Sequence, residues 1–162
     1  MASSRERKAA IAGPGAAELL EDLSDLTRCW LRERAAGVRQ LGNEEALVDY
    51  LRAVQAFAPS EQMRVLFLNA RNALIRDEVM GSGTLDEVPF WSREVLRRSL
   101  ELNAAGVILV HNHPSGDHSP SEADVRMTLR FAEAGKELGV LLHDHFIFSP
   151  AGHSSFRALG LL

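Results

Sequence analysis

Residues 106–124, GVILVHNHPSGDHSPSEAD, constrain this chain more than any other stretch. Val107, Ile108, Leu109 and Val110 form an apolar run long enough for a buried strand and too short for a helix. His111 and His113 follow at i and i+2, a spacing that puts both imidazoles on one face of an extended chain. Pro114, Ser115, Gly116 and Asp117 are turn chemistry and end the strand. Ser119, Pro120 and Glu122 then read as N-cap, N1 and N3 of a helix, with Glu122 closing a capping box. Asp124 falls in the first turns. A helix that folds back on the strand end brings this carboxylate to two imidazoles.

Two histidines and one carboxylate make a three-ligand site with one position open, the arrangement of a catalytic zinc. Water in that position has a pKa of about 7, so a nucleophile is available at neutral pH. A structural zinc needs four protein ligands, usually with cysteine, and the chain has one cysteine, Cys29. That lone thiol also forms no internal disulfide, which fits a reducing cytoplasm.

The remaining sequence reads as one globular domain with a helical extension. Of 162 residues, 46% are hydrophobic and 25% charged, an ordinary composition for a soluble domain with a full core. The net charge of −4 offers no global attraction to nucleic acid or to anionic membrane. No apolar run is long enough to span a bilayer, and no signal-peptide stretch follows the N-terminal charges. Residues 1–15 read as a disordered tail and 16–60 as two amphipathic helices, at 16–36 and from an Asn43 cap to residue 58. Leu47, Val48, Leu51, Val54 and Phe57 make the second stripe, which packs on the core or on a second subunit. Residues 61–162 form the main domain. Strands at 63–68 and 74–79 pair as a hairpin, a glycine-rich loop spans 81–90, and Ser92 caps a helix to residue 103. Arg93, Arg97 and Arg98 on that helix give a local basic, solvated face. A helix over 121–138 turns Val125, Leu129, Ala132 and Leu138 inward, and 140–148 is a strand carrying His143, Asp144 and His145. Helices alternating with strands predict an α/β fold with a mixed sheet between helices.

The spacing His111-x-His113, Ser121, Asp124 resembles the JAMM metalloprotease motif of JAB/MPN domains, and HNHPSGD…PS..D resembles its bacterial RadC branch. The likeness extends over residues 61–162, through Gly83-Thr84, Arg93-Glu94-Val95, Asn103-Ala104-Ala105, Asp144-His145 and Ser155-Phe156…Gly160-Leu161. It implies the cytidine-deaminase-like three-layer fold, with zinc held by His111, His113 and Asp124. It also implies a general base at Glu61, two residues before the first large apolar residue of its strand; Glu94 is the rival. Ser121 is expected to stabilise an oxyanion, its plainer reading being a serine in a helix's first turn. Asp144 is expected to orient a histidine by a hydrogen bond, with His143 facing the same way as His145. His118 and His153 read as solvated loop residues.

The implied activity is amide hydrolysis on a protein or peptide substrate. Relatives of this kind often carry a longer N-terminal region with a helix-hairpin-helix unit, and the glycine-bearing hairpin of that unit is not found here. A DNA-repair-associated role is the alternative. The acidic charge and the lack of a recognisable DNA-binding motif weigh against it. A zinc-free interaction domain is the third reading, and every ligand position is filled against it. The H-x-E and P-C-x-x-C elements of a deaminase are absent.

Overall fold

The structure, a computed structural model, describes residues 44–58, 60–82 and 88–162, with backbone alone for 44, 82 and 88–91. The expected tail, the helix at 16–36, the Asn43 cap and residues 83–87 of the glycine-rich loop lie outside the described residues. The elements run α1 (Glu44–Gln55), β1 (Gln62–Leu68), β2 (Leu74–Ser82), α2 (Val88–Glu101), β3 (Gly106–Asn112), α3 (Glu122–Glu137), β4 (Leu141–Ser149) and β5 (Gly152–Ser155). One sheet takes the order β2-β1-β3-β4-β5. Only β3 and β4 pair in parallel, and α3 is the crossover that parallel pairing requires.

Strand β3 is buried along its whole length, because helices cover both faces of the sheet. Val107 and Leu109 pack with Met63, Val65 and Phe67 against Val95, Leu96, Met127 and Phe131 of α2 and α3. Ile108 and Val110 pack with Leu66, Leu68, Phe146 and Phe148 against Tyr50 and Leu51 of α1. This is the three-layer α/β arrangement predicted from the sequence. Alternation along β3 then sends His111 to the α3 face and Asn112 to the α1 face.

Several boundaries differ from expectation, each for a local reason. Helix α2 begins at Val88, before Ser92, since Pro89 in a first turn needs no N–H partner. Gly81 and Ser82 continue β2 and are not loop. The buried face of α3 is Asp124, Met127, Thr128, Phe131 and Gly135, while Leu129 and Leu138 are 45% and 48% exposed. Turning Asp124 inward sets the stripe at i+3, i+4, i+7 and i+11, and this excludes Leu129. Phe57 lies in the turn after α1, 72% exposed, and is not part of its stripe. Two of the three arginines of the basic face of α2 are paired, Arg97 with Glu94 and Glu101 and Arg98 with Glu78 and Glu101. Helix α3 ends in a Schellman motif. The Val140 N–H donates to the Gly135 carbonyl at 2.8 Å and the Gly139 N–H to Lys136 at 3.2 Å, with Gly139 at φ +73°.

In β4, Leu142 pairs with Val107 and Asp144 with Ile108, so His143 is the extra residue of a bulge. The bulge breaks the two-residue period on which a shared face for His143 and His145 was expected. The His143 ring packs over Gly106, where a Cβ would collide with it, and His145 reaches His111.

Candidate metal centre

The site is assembled where β3 ends and α3 begins. His111 is the penultimate residue of β3, and the His113 N–H donates to the Phe148 carbonyl at 2.8 Å, which keeps it in line with β4. The capping box of α3 falls two residues later than expected. Ser121 is the N-cap, and its Oγ accepts the Asp124 N–H at 3.1 Å. Asp124 Oδ2 accepts the Ser121 N–H at 2.8 Å and its hydroxyl at 2.6 Å. Ser119 is instead used in a local turn, donating its N–H to Asp117 Oδ1 at 2.8 Å. One oxygen of Asp124 therefore caps the helix. The other, Oδ1, is buried with no hydrogen-bond partner in the described protein.

The histidine tautomers follow from a chain of hydrogen bonds. The Thr128 hydroxyl donates its single proton to the Asp124 carbonyl at 2.6 Å, so it accepts from His145 Nδ1 at 2.7 Å. His145 Nε2 is then an acceptor and takes the proton of His111 Nδ1 at 2.9 Å. His113 Nδ1 donates to the Asp117 carbonyl at 2.8 Å. In their neutral forms both histidines therefore present an Nε2 lone pair to the same point. Those two nitrogens are 2.8 Å apart, His111 Nε2 is 3.4 Å from Asp124 Oδ1, and His113 Nε2 is 3.6 Å from Asp124 Oδ2. Tetrahedral zinc with bonds of about 2.0–2.1 Å separates its donors by about 3.3 Å. Two converging lone pairs and an orphaned buried carboxylate oxygen are complementary to a cation, and the residues fit a metal ion.

Electrostatics agree. Burial pushes the His111 imidazole down to about 4, against partial compensation from the Asp124 charge, so it is neutral and free to ligate. His145 is held well below the usual histidine value, first by burial. His113 is raised by the Asp124 carboxylate, with burial opposing. Burial pushes Asp124 up, but the interaction with His113, the His111 charge and the bonds from Ser121 together hold it well below the usual carboxylate range.

A second acid completes the group. Glu61, His111 and His113 bring one donor atom each to within 4.8 Å of one another, a cluster able to hold a metal ion. Glu61 Oε1 is 3.9 Å from His113 Nε2, and burial raises its carboxyl, with the His113 charge opposing. The rival Glu94 accepts a hydrogen bond from Arg97 at 2.9 Å. Asp144 orients no ring. It accepts the His145 and Arg157 N–H groups at 2.7 and 3.0 Å and the Ser155 hydroxyl at 2.5 Å, which ties down the C-terminal turn. Orienting His111 falls to His145, with Thr128 behind it. The sequence signal for Thr128 is its place one turn after Asp124. His118 is bonded to Ser154 Oγ at 2.9 Å, and His153 stacks on Phe148 within β5, so neither is a free loop residue.

The layers and the His-His-carboxylate group define an α/β protein with a cluster able to hold a metal ion at the C-terminal end of a central strand. Residues 41–161 match the family described as RadC-like JAB domain, and the chain belongs to that family. A UPF0758 protein of Rhodobacter capsulatus is 51% identical over 122 residues, covering 75% of this chain and 57% of that protein. One from Ruegeria pomeroyi is 45% identical over 160 residues, covering 97% of this chain and 71% of that protein. Among the described residues no helix is long and apolar enough to cross a membrane.

Proposed function

We propose that this chain is a zinc-dependent hydrolase of the cytoplasm that cleaves amide bonds, peptide or isopeptide, in a protein or peptide substrate. The observation that supports it is the convergence of the two Nε2 atoms on Asp124, whose Oδ1 has no hydrogen-bond partner among the described residues, with a further carboxylate beside them. His111, His113 and Asp124 would hold the zinc, and Glu61 would stay off it. Asp124 suits the ligand role because it is fully buried with an oxygen unused; Glu61 is more accessible and has the raised affinity for protons that a general base needs. When bound, zinc supplies Lewis-acid polarisation of the scissile carbonyl and lowers the pKa of water. Glu61 Oε1 takes the proton of the attacking water and returns it to the leaving nitrogen. Ser121, turning its hydroxyl proton from Asp124 Oδ2 to the substrate carbonyl, stabilises the oxyanion.

The test is a cleavage screen over peptide and isopeptide-linked substrates, comparing zinc-loaded wild type with Glu61→Gln. The variant should keep its zinc and lose activity by about 10²–10⁴-fold, the usual contribution of a general base. Equal activity would remove Glu61 from the role, and loss of zinc would make it a ligand instead.

A further inference from the structure

Asn112 stands between the two histidines and faces the opposite side of the sheet, fully buried. Every hydrogen-bonding position of its amide is used. Nδ2 donates to the carbonyls of Ser60 at 3.0 Å and Ala58 at 3.4 Å. Oδ1 accepts the Gln62 N–H at 2.9 Å and Nε2 of Gln55 at 3.1 Å. Gln55, the last residue of α1, is also fully buried, and its Nε2 donates to the Gln62 carbonyl at 2.8 Å. Its Oε1 accepts from Arg64 Nε at 3.1 Å, and Arg64 is held in turn by Asp77 at 2.6 Å. The backbone groups bound by the two amides belong to the residues on either side of Glu61. One strand end thus presents both imidazoles on one face and grips the segment bearing Glu61 with the other.

We propose that Asn112 and Gln55 are positioning residues that fix the Glu61 carboxylate relative to His111 and His113, so that α1 belongs to the reaction machinery as well as to the core. The catalytic consequence rests on the hydrolase reading; the geometric one does not. The probe is cobalt, loaded into the full chain carrying Asn112→Ala or, with volume kept, Gln55→Met. Each variant should bind one cobalt through His111, His113 and Asp124. In crystals the Glu61 carboxylate should move by more than about 1 Å, a displacement that can cost about a hundredfold in rate. The Gln62 amide should exchange with solvent about tenfold faster, while those of Val107 and Phe131 keep their protection. On any substrate the wild type cleaves, kcat should fall about a hundredfold with KM little changed. Glu61 in its original place, with Gln62 exchange unchanged, would overturn the proposal. If Asn112→Ala does not fold, Gln55→Met decides alone. A wild type that cleaves nothing would defeat the hydrolase reading and leave the crystallographic and exchange results to judge the clamp.

Discussion

His145 accepts the Nδ1 proton of His111 across 2.9 Å, and this contact decides which nitrogen of His111 faces Asp124 and His113. Thr128 holds His145 in the tautomer that can accept, and Thr128 is itself fixed by the carbonyl of Asp124. A carboxylate of the candidate metal centre and the orientation of a histidine in the same cluster are thereby linked through one turn of α3.

That linkage predicts metal affinity. Outer hydrogen-bond partners of a ligating histidine are worth about 10–100-fold in affinity. His145→Phe, which keeps the stack on Phe156, should weaken zinc binding by that amount in chelator competition. Thr128→Val should give a smaller loss, near the lower end. Unchanged affinity in both would mean that the tautomer chain does not set the ligand.

The two oxygens of Asp124 have separate tasks, and two variants separate them. Asp124→Asn should abolish stoichiometric zinc in elemental analysis. Ser121→Ala should keep zinc and lose about 1 kcal/mol of stability as a lost N-cap. If Ser121 also stabilises an oxyanion, its turnover should fall by about 10²–10³-fold. A Ser121→Ala protein destabilised by about 1 kcal/mol but fully active would confine the serine to capping.

Acid should destabilise the metal-free protein. An unfolded histidine binds a proton near 6.5, whereas folded His111 does so only near 4, so between these values the unfolded state carries the extra proton and stability falls with pH. Buried His145 acts in the same direction. His113 acts oppositely, adding stability below 6.5 that is lost as pH rises through its raised value, but it is more accessible to solvent than the fully buried His111 and His145 and counts for less. Tm measured with chelator present should therefore fall steadily from pH 6.5 to 4. A flat or rising Tm would contradict the buried neutral imidazoles.

Gly139 offers a test of the fold apart from the site. Its φ is +73° and nothing lies within 4 Å of where a Cβ would point, so Gly139→Ala should cost about 1 kcal/mol through backbone strain alone. Denaturant unfolding should show this with zinc affinity unchanged.

Much of this was legible in residues 106–124, because a buried strand, a two-residue histidine repeat and turn chemistry are all short-range properties of the chain. The capping box was misplaced by two residues because Ser119 and Ser121 offer equivalent starts, and only the Asp117 turn commits Ser119 elsewhere. The inward face of α3 keeps Ala132 against the core but departs from expectation at Leu129 and Leu138; Leu129 is more apolar than Thr128, yet burial of Asp124 and Thr128 is set by the site they build. Asp144 looked like the partner of a histidine because a carboxylate is the commoner choice, and the loop at Ser155–Arg157 claims it.

By itself, then, the sequence determined the α/β class, the strand-turn-helix unit and the identity of His111, His113 and Asp124 as groups of metal-binding type, since these depend on residue type and spacing along a few turns of chain. The tertiary structure alone decided that His145 and Thr128 set the tautomer and that Asn112 grips the segment of Glu61. It also decided that one oxygen of Asp124 is left without a partner among the described residues. Those contacts join residues far apart in the chain, and their partners are chosen by sheet register and helix docking, which no local pattern encodes.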